Sequence, residues 1–234
     1  MELKVFHPVN SGLYVRGSSS VLVDGVFGGE GKGFSPMPEA FSRAVFGGNG
    51  SHMDGMLFTH SHGDHFCPER LGRAERLFPR MAVYGPEIGE RNVNVVEKAP
   101  GLREFDVKSC QVWAVRTLHD GEQYREVPHC SYFLRMDGRT MFAAGDAGDL
   151  GKLRDRYGRQ LPAHVDMAFV NLYQAFAPDT HRFMRDFTVS RIYLYHLPFQ
   201  ADDCYRFWMQ AGQAVRNFPA DLPPLKILTH MNWH

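Results

Sequence analysis

Short apolar segments bounded by glycine, proline and charged residues recur along the chain, and they predict a fold rich in short strands. We predict strands over these segments: Leu3–Phe6, Tyr14–Arg16, Val21–Asp24, Met56–Thr59, Met81–Tyr84, Gln111–Leu118, Ser131–Met136, Thr140–Ala144, Met167–Val170, Arg191–Tyr195 and Leu225–Thr229. Apolar positions at helical spacing predict these helices: Pro68–Phe78, Pro86–Glu97, Leu150–Gln160, Thr180–Phe187 and Asp202–Asn217, the last with Asp202 or Asp203 as its N-cap. The alternation favours a layered α/β fold with sheets inside and helices outside.

Two loop segments punctuate this pattern. Asp137-Gly138 separates two predicted strands and is typical of a tight β-hairpin turn. The glycine- and proline-rich segment Gly25–Pro38 cannot form regular structure and lacks the spacing of a phosphate-binding loop. It has two interpretations that the sequence leaves open, a mobile flap over a site or an ordinary surface loop.

Composition limits the classes of protein that need to be considered. The 234 residues, 44% of them hydrophobic and 22% charged, suffice for one continuous core, so we expect a single domain over residues 1–234. The 26 basic residues balance the 26 acidic ones, and this balance gives no electrostatic footprint for nucleic acid or for an anionic membrane. We therefore expect neither as a partner, and the oligomeric state stays open, with a homo-oligomer as one option.

The N-terminal residues do not show the cationic and apolar regions of a secretory signal, and no apolar stretch approaches the length of a membrane span. The four cysteines are scattered and form no CxxC pair. We therefore expect a cytoplasmic protein with free thiols.

The strongest chemical signal is the segment Thr59-His-Ser-His-Gly-Asp-His-Phe66, which follows a short apolar strand. His60 and His62 are two residues apart and are expected to point to the same side, whereas Gly63 allows the chain to turn so that Asp64 and His65 reach the same point. Imidazoles and a carboxylate at this spacing form a ligand set suited to zinc, iron or manganese.

This His-x-His-x-Asp-His pattern resembles the signature of the metallo-β-lactamase superfamily, in particular its small metal-dependent hydrolases. The resemblance implies a four-layer αββα sandwich of the metallo-β-lactamase type, with a one- or two-metal site at one edge between the sheets. It also implies three further ligands in chain order: a histidine at a strand end, an aspartate after a strand, and a histidine after a later strand.

Each later ligand has a preferred candidate and a rival. His119 directly follows a predicted strand, while His129 begins the next strand and is interpreted as a neighbouring pocket residue. Asp146 follows a strand in the order strand-Gly-Asp, whereas Asp149 is expected to cap the next helix. His196 follows a strand and precedes Leu197-Pro-Phe199, and its rival, His230, is interpreted as a wall or structural residue.

Carried onto this chain, the resemblance assigns one metal ion to His60, His62 and His119. It assigns a second to Asp64, His65 and His196, with Asp146 shared between the two ions. The implied cofactors are two divalent metal ions, zinc first, with manganese or iron as options. The implied activity is the hydrolysis of an ester, lactone, thioester or phosphodiester of a small molecule by a metal-bridging hydroxide, with Asp64 and Asp146 as the catalytic carboxylates.

Three other functions would use the same fold and ligand set. An iron-dependent dioxygenase of the same fold and a metal-stabilised binding module without activity both stay open. A nuclease is disfavoured, because the family's nucleases usually carry a basic surface or an added domain. Asp120 and Tyr173 are further candidates for the pocket, and the sequence does not identify the substrate.

Overall fold

The computed structural model describes residues 3–28, 33–47, 52–87, 94–95 and 101–234. Within these residues the strands form two sheets, each of which begins with antiparallel pairs and continues with parallel ones. The strands of the first sheet are β1 (Lys4–His7), β2 (Leu13–Arg16), β3 (Ser20–Val23), β4 (Gly55–Leu57), β5 (Ala82–Gly85), β6 (Asn94–Val95) and, beside β1, β14 (Asn232–Trp233). Those of the second sheet are β7 (Leu102–Val107), β8 (Cys110–Arg116), β9 (Cys130–Met136), β10 (Arg139–Ala143), β11 (Met167–Val170), β12 (Ile192–Leu194) and β13 (Leu225–Ile227), adjacent in that order.

Helices cover the outer face of each sheet. The helices in the described residues are α1 (Glu39–Phe46), α2 (Pro68–Leu77), α3 (Leu153–Tyr157), α4 (Leu172–Phe176), α5 (Pro178–Asp186) and α6 (Phe207–Asn217). The first two pack on the first sheet, and the other four pack on the second. None of the described helices has the length and apolar character needed to cross a membrane.

The alternation of side chains along each strand builds three apolar layers. In β3, Val21 and Val23 point between the two sheets, whereas Leu22 points outward to α1 and α2. In β10, Met141 points between the sheets and Phe142 points outward to α5. The result is the four-layer αββα sandwich that the resemblance implies.

Most of the predicted strands are confirmed to within a few residues, and so is the Asp137-Gly138 turn. Both turn residues have positive φ, 52° and 76°, as a two-residue hairpin turn requires. The predicted helix Pro86–Glu97 is wrong where it can be compared: Asn94–Val95 is a strand that pairs in parallel with β5, and residues 88–93 and 96–100 lie outside the described residues. The Asn94 side chain donates a hydrogen bond to the Val83 carbonyl, which favours this pairing over a helix.

The Gly25–Pro38 loop is packed at both of its described ends. Val26 pairs with Phe66 in an isolated bridge, and Phe27 is fully buried in the outer core of the first sheet. Phe34 lies at the other end, beside the cavity described below. Residues 29–32, the centre of the proposed flap, lie outside the described residues. No disulfide bond links the four cysteines, all of which are described.

Candidate metal centre

The candidate ligands that the sequence singles out come together at one edge of the sandwich. They form two groups whose ligand atoms lie within 4.8 Å of one another: His60, His62 and His119 in the first, and Asp64, His65, Asp146 and His196 in the second. The loop after β4 in the first sheet supplies four of them, and the loops after β8, β10 and β12 in the second sheet supply one each. The strands β8, β10 and β12 run in the same direction, so their carboxyl ends lie at one edge of the second sheet.

In the first group, three ring nitrogens face a common point. His60 Nε2 lies 3.0 Å from His62 Nδ1 and 3.3 Å from His119 Nε2, and the last two atoms are 3.2 Å apart. The other nitrogen of His119, Nδ1, donates to the Asp120 carbonyl at 2.6 Å. Because a neutral imidazole carries one N–H, His119 presents a lone pair at Nε2.

His60 presents a lone pair to the same point. The Thr59 hydroxyl donates its hydrogen to Asp24 Oδ2 at 2.7 Å, so it accepts the Nδ1–H of His60 at 3.0 Å. Nε2 of His60 is therefore unprotonated and faces the unprotonated Nε2 of His119. Two lone pairs that face each other with no proton between them are the arrangement expected of a cation site. Hydrogen bonds to the opposite ring nitrogen, such as those made by the Thr59 hydroxyl and the Asp120 carbonyl, fix the tautomer of metal-binding histidines.

Burial keeps His60 and His62 neutral. Desolvation, followed by the charge of His65, lowers the pKa of His60 well below its ordinary value. Burial and the neighbouring His119 likewise lower the pKa of His62. Neutral imidazole is the form that binds metal ions.

In the second group, carboxylates surround two histidines. His65 Nε2 lies 2.7 Å from His196 Nε2, and Oδ2 of Asp64 lies 3.3 Å from the same nitrogen of His196. Asp146 Oδ2 lies 3.4 Å from His65 Nε2 and within 3.8 Å of both His60 and His119, so this oxygen reaches both groups. The geometry thus places Asp146 between the two halves of the centre.

The local field of the second group favours positive charge. Burial acts to lower the pKa of His65, but the carboxylates of Asp64, Asp146 and Asp24 raise it well above the ordinary value. Burial acts to raise the pKa of Asp146, but His196 and His65 hold it well below the ordinary value. A divalent cation would satisfy the same carboxylates.

Several residues that support the centre carry no sequence motif. Asp24 is fully buried, adopts a left-handed backbone conformation with φ 48°, and accepts hydrogen bonds from the Thr59 N–H, the Thr59 hydroxyl and His65 Nδ1. It thereby orients rings in both groups. Its only signal in the sequence is a carboxylate directly after a buried strand.

A second supporting set holds Asp146. Asn171 caps α4 and donates from Nδ2 to Asp146 Oδ1 at 2.9 Å, which leaves Oδ2 for the centre. Gln174 completes the capping box and donates from Nε2 to the carbonyls of Gly145 and Ala147, each at 2.9 Å. The first turn of α4 therefore clamps the loop that carries Asp146.

His129 lies behind Asp146 and outside both groups. A chain of hydrogen bonds runs from His129 Nδ1 through the hydroxyls of Thr117 and Ser131 to the Ala144 carbonyl. Since each hydroxyl donates onward, His129 donates from Nδ1 and its Nε2 accepts the Asp146 N–H at 2.9 Å. Burial lowers the pKa of His129 to about 3, which keeps this acceptor unprotonated.

The other rival candidates are also placed away from the centre. The ring of His230 packs against Phe199, Trp208 and His7. Asp149 precedes a short 3-10 helix, as expected, but its side chain makes no cap bond. Instead it accepts the Leu118 N–H at 2.9 Å and pairs with Arg156, so it anchors the backbone next to His119.

Gly63 does not act as the sequence suggests. Its φ is not positive, and a Cβ there would meet no atom within 4 Å. The turn is held instead by backbone hydrogen bonds from the His65 and Phe66 N–H groups to the His62 carbonyl, each 2.9 Å long. Among the candidate ligands, His196 is a left-handed non-glycine with φ 63°, and its N–H donates to the Asn10 carbonyl.

A cavity of about 910 Å³ opens over the centre. Asp64 and Asp146 face it, and so do Asp120 and Tyr173, the two additional pocket candidates from the sequence. A volume of this size accommodates a small organic molecule next to the clustered ligands.

The two-sheet sandwich with its histidine and aspartate cluster defines a class of protein, and comparison with solved structures identifies that class as the metallo-β-lactamase fold. No protein-family model matches the sequence, and no curated protein matches it in sequence. YhfI of Bacillus subtilis, a metallo-β-lactamase fold protein, matches with a TM-score of 0.61 and 12% identity over 100% of both chains.

Two further structures connect this fold with activities. An isothiocyanate hydrolase from Delia radicum gut bacteria matches with a TM-score of 0.62 and 14% identity, over 99% of this chain and 98% of that one. CmlA, a diiron β-hydroxylase from Streptomyces venezuelae, matches with a TM-score of 0.63 and 16% identity over 100% of this chain. The present chain spans only about half of CmlA, 53% of its length. At these identities the likeness establishes the fold.

Proposed function

We propose that this protein is a metal-dependent hydrolase with a dinuclear centre. His60, His62 and His119 would hold one ion, Asp64, His65 and His196 would hold the other, and Asp146 would bind both. The observation that carries the proposal is the convergence of unprotonated ring nitrogens of His60 and His119, 3.3 Å apart, which outer hydrogen bonds impose. The isothiocyanate hydrolase of the same fold supports the reaction type.

The donor set suits zinc better than it suits magnesium or calcium. Five of the seven proposed ligands are imidazoles and two are carboxylates, and imidazole suits zinc, copper, iron and nickel better than it suits magnesium or calcium. Bound metal ions would polarise the scissile group and lower the pKa of a coordinated water from 15.7 to about 7.

The chain's own carboxylates supply the remaining chemistry. Asp64 faces the cavity with its side chain 16% exposed, so it can accept a hydrogen bond from the attacking water and orient it. Asp146 is fixed at Oδ1 by Asn171, which keeps Oδ2 aimed at both groups while a substrate binds.

The test combines metal analysis with hydrolysis assays. Protein purified without chelator is expected to contain about two zinc ions per chain and to hydrolyse at least one of 4-nitrophenyl acetate, an aryl lactone and bis(4-nitrophenyl) phosphate. Asp146→Asn and Asp64→Asn should each lower kcat by about a hundredfold or more. The matched control is Asp155→Asn, since Asp155 is an exposed partner of Arg182 on the surface.

Two results would contradict the proposal. A folded protein that holds no metal and takes up none when it is added would refute the assigned ligands and favour a binding module. A metal-loaded protein whose hydrolytic activity survives Asp146→Asn would place the chemistry elsewhere.

A second candidate is an iron-dependent oxygenase, because CmlA is a diiron hydroxylase of the same fold. Iron in the purified protein at a level similar to that expected for zinc, together with oxygen consumption in the presence of a reductant, would favour this candidate over the hydrolase. Zinc content with hydrolysis and no oxygen consumption would exclude it.

A further inference from the structure

Three aromatic residues form one wall of the cavity, and we refer to Phe34, Tyr205 and Phe207 as the aromatic wall. The ring of Phe34 packs edge-on against His196 with centroids 5.1 Å apart, which places the wall beside the second half of the centre. Phe207 contacts both of the others, 6.3 Å from Phe34 and 5.5 Å from Tyr205. The wall is therefore continuous from the proposed metal ligand to the rim.

The residues on both sides of Phe34 fix the position of the aromatic wall. Gly33 has φ 93°, and a Cβ there would overlap the Tyr205 ring, so only glycine permits the close approach of the two segments. On the other side of Phe34, Ser35 is bound through both its N–H and its carbonyl to the side-chain amide of Asn10, at 3.1 and 2.8 Å. The Ser35 hydroxyl also accepts the Phe199 N–H at 2.7 Å.

Despite this support, the wall remains open to the cavity. Tyr205 is 52% exposed. At the first half of the centre Tyr124, 41% exposed, packs edge-on against His62 at 4.9 Å. Exposed aromatic rings on both halves of a centre offer stacking surfaces for a flat apolar group.

The charge of the lining favours uncharged ligands. Among the described residues that line the cavity there is no lysine or arginine, and Asp120 is a carboxylate there that the proposed metal centre does not use. Arg125, next to Tyr124, pairs with Glu122 at 3.1 Å and does not line the cavity. An anionic group bound away from the metal centre would therefore find no compensating cation among these described residues.

We propose that the site takes uncharged substrates that carry an aryl group next to the bond that is cleaved, and that this group lies against the aromatic wall. Substrates with a carboxylate on the aryl group are disfavoured. The inference rests on the proposed function for the cleavage step, but the binding of the aryl group does not depend on it.

The charge rule is tested with a pair of esters that differ in one group. The zinc-loaded full-length protein is assayed with 4-carbamoylphenyl acetate and 4-carboxyphenyl acetate, which have nearly the same shape. Each kcat/KM is divided by the rate constant for hydrolysis by hydroxide, which removes the difference in leaving-group reactivity. The neutral ester should be favoured by about tenfold or more. Equal values, or a preference for the anion, would overturn the rule.

The aromatic wall is tested by removing one ring. Tyr205→Ala should raise KM for 4-carbamoylphenyl acetate by about three- to tenfold with little change in kcat, and Tyr205→Leu should restore part of the loss. The matched control is Phe176→Ala, because Phe176 is 46% exposed on α4 but does not line the cavity. An unchanged KM in Tyr205→Ala would overturn the placement of the aryl group.

Binding of 2-naphthamide, followed by calorimetry, separates this inference from the proposed function. If the loaded protein cleaves no ester but binds 2-naphthamide, and Tyr205→Ala weakens this binding about tenfold while Phe176→Ala does not, the hydrolase proposal fails and the aryl site stands. If esters are cleaved but the amide binds equally to all three proteins, the aryl site fails and the hydrolase stands.

Discussion

Asp24 illustrates how a single residue with no motif can determine the chemistry of its neighbours. Its carboxylate accepts the hydrogen of the Thr59 hydroxyl, and this alone forces His60 to donate from Nδ1 and to keep a lone pair on Nε2. The same oxygen binds His65 Nδ1 at 3.0 Å. One buried carboxylate thus sets the tautomer of His60 and holds the ring of His65 in place.

Gly145 and Gly63 are two glycines of the site that differ in whether the structure has room for a side chain. Gly145 has φ 59°, and a Cβ there would lie 2.7 Å from both the Thr59 Cβ and His129 Nε2. Gly145→Ala should therefore lower the free energy of unfolding by about 1–3 kcal/mol and weaken zinc binding. Gly63→Ala, where a Cβ meets nothing within 4 Å, should cost less than about 0.5 kcal/mol.

Urea unfolding of the metal-free variants, followed by zinc titration, checks this contrast. Equal losses in the two variants would show that the positive φ of Gly145 and its contact with His129 do not constrain the loop.

His7 makes the free energy of unfolding depend on pH. Burial, with the nearby His230 second, lowers the pKa of His7 to about 3, while its Nδ1 donates to the Gly12 carbonyl at 2.8 Å. In the unfolded chain the pKa is about 6.5, so below this pH the unfolded chain takes up a proton that the folded protein does not. Stability is therefore fully present above pH 6.5 and falls towards pH 3, by up to about 1.4 kcal/mol per pH unit.

Glutamine does not titrate in this range. Between about pH 6 and pH 5, the free energy of unfolding of His7→Gln should therefore fall by about 1 kcal/mol less than that of the parent protein. Urea midpoints of the metal-free proteins at the two values provide the measurement. His164→Gln, at a half-exposed position, should leave the slope as it is. A parent and His7→Gln with equal slopes would mean that His7 is not the titrating group.

At the scale of elements, α4 serves as a clamp more than as a packing helix, because its first turn binds the Asp146 loop. Gln174→Glu tests this role, since a glutamate can still accept the Asn171 N–H of the capping box but cannot donate to the Gly145 and Ala147 carbonyls. We expect a loss of about 1–3 kcal/mol in the free energy of unfolding and weaker zinc binding.

Gln160→Glu makes the same chemical change at an exposed position and should be neutral. Thermal unfolding and zinc titration of both variants provide the comparison. If Gln174→Glu binds zinc as tightly as the parent, the clamp does not position Asp146.

The elements that were predictable from the sequence are those with nearly continuous apolar segments, such as β9 and β11. The edge strand β7 was missed because it carries Arg103, Glu104 and Asp106, so its pairing with β8 leaves no apolar signature. The helix α1 was missed because its apolar positions follow directly on a proline-rich loop. The helix α6 begins at Phe207, later than predicted, although Asp203 does accept hydrogen bonds from its first N–H groups.

The candidate site also contains residues that the sequence identifies and residues that it does not. Four of its ligands lie in one short segment, and the others each follow an apolar strand, so spacing and the family resemblance sufficed to select them. Asp24, Asn171 and Gln174 are distant in sequence and act through single hydrogen bonds, which no spacing records. They become visible only when the two sheets are packed together.

For the whole molecule, the centre lies where the two sheets meet. The first sheet supplies His60, His62, Asp64 and His65, and the second supplies His119, Asp146 and His196. A metal ion bound to ligands from both sheets binds only the folded sandwich, so it should stabilise the fold as a unit.

Zinc at about a hundred times its dissociation constant should add about 2.7 kcal/mol per site, which corresponds to an increase in Tm of about 5–10 °C per site, and about 10–20 °C for both sites, in a chain of this size. His119→Ala removes one ligand of the first group and should reduce this increase by about half, whereas Asp146→Ala, which reaches both groups, should abolish most of it. His164→Ala serves as the matched control. Calorimetry with and without zinc decides the matter, because a Tm increase that survives Asp146→Ala would mean that zinc does not join the two sheets at this edge.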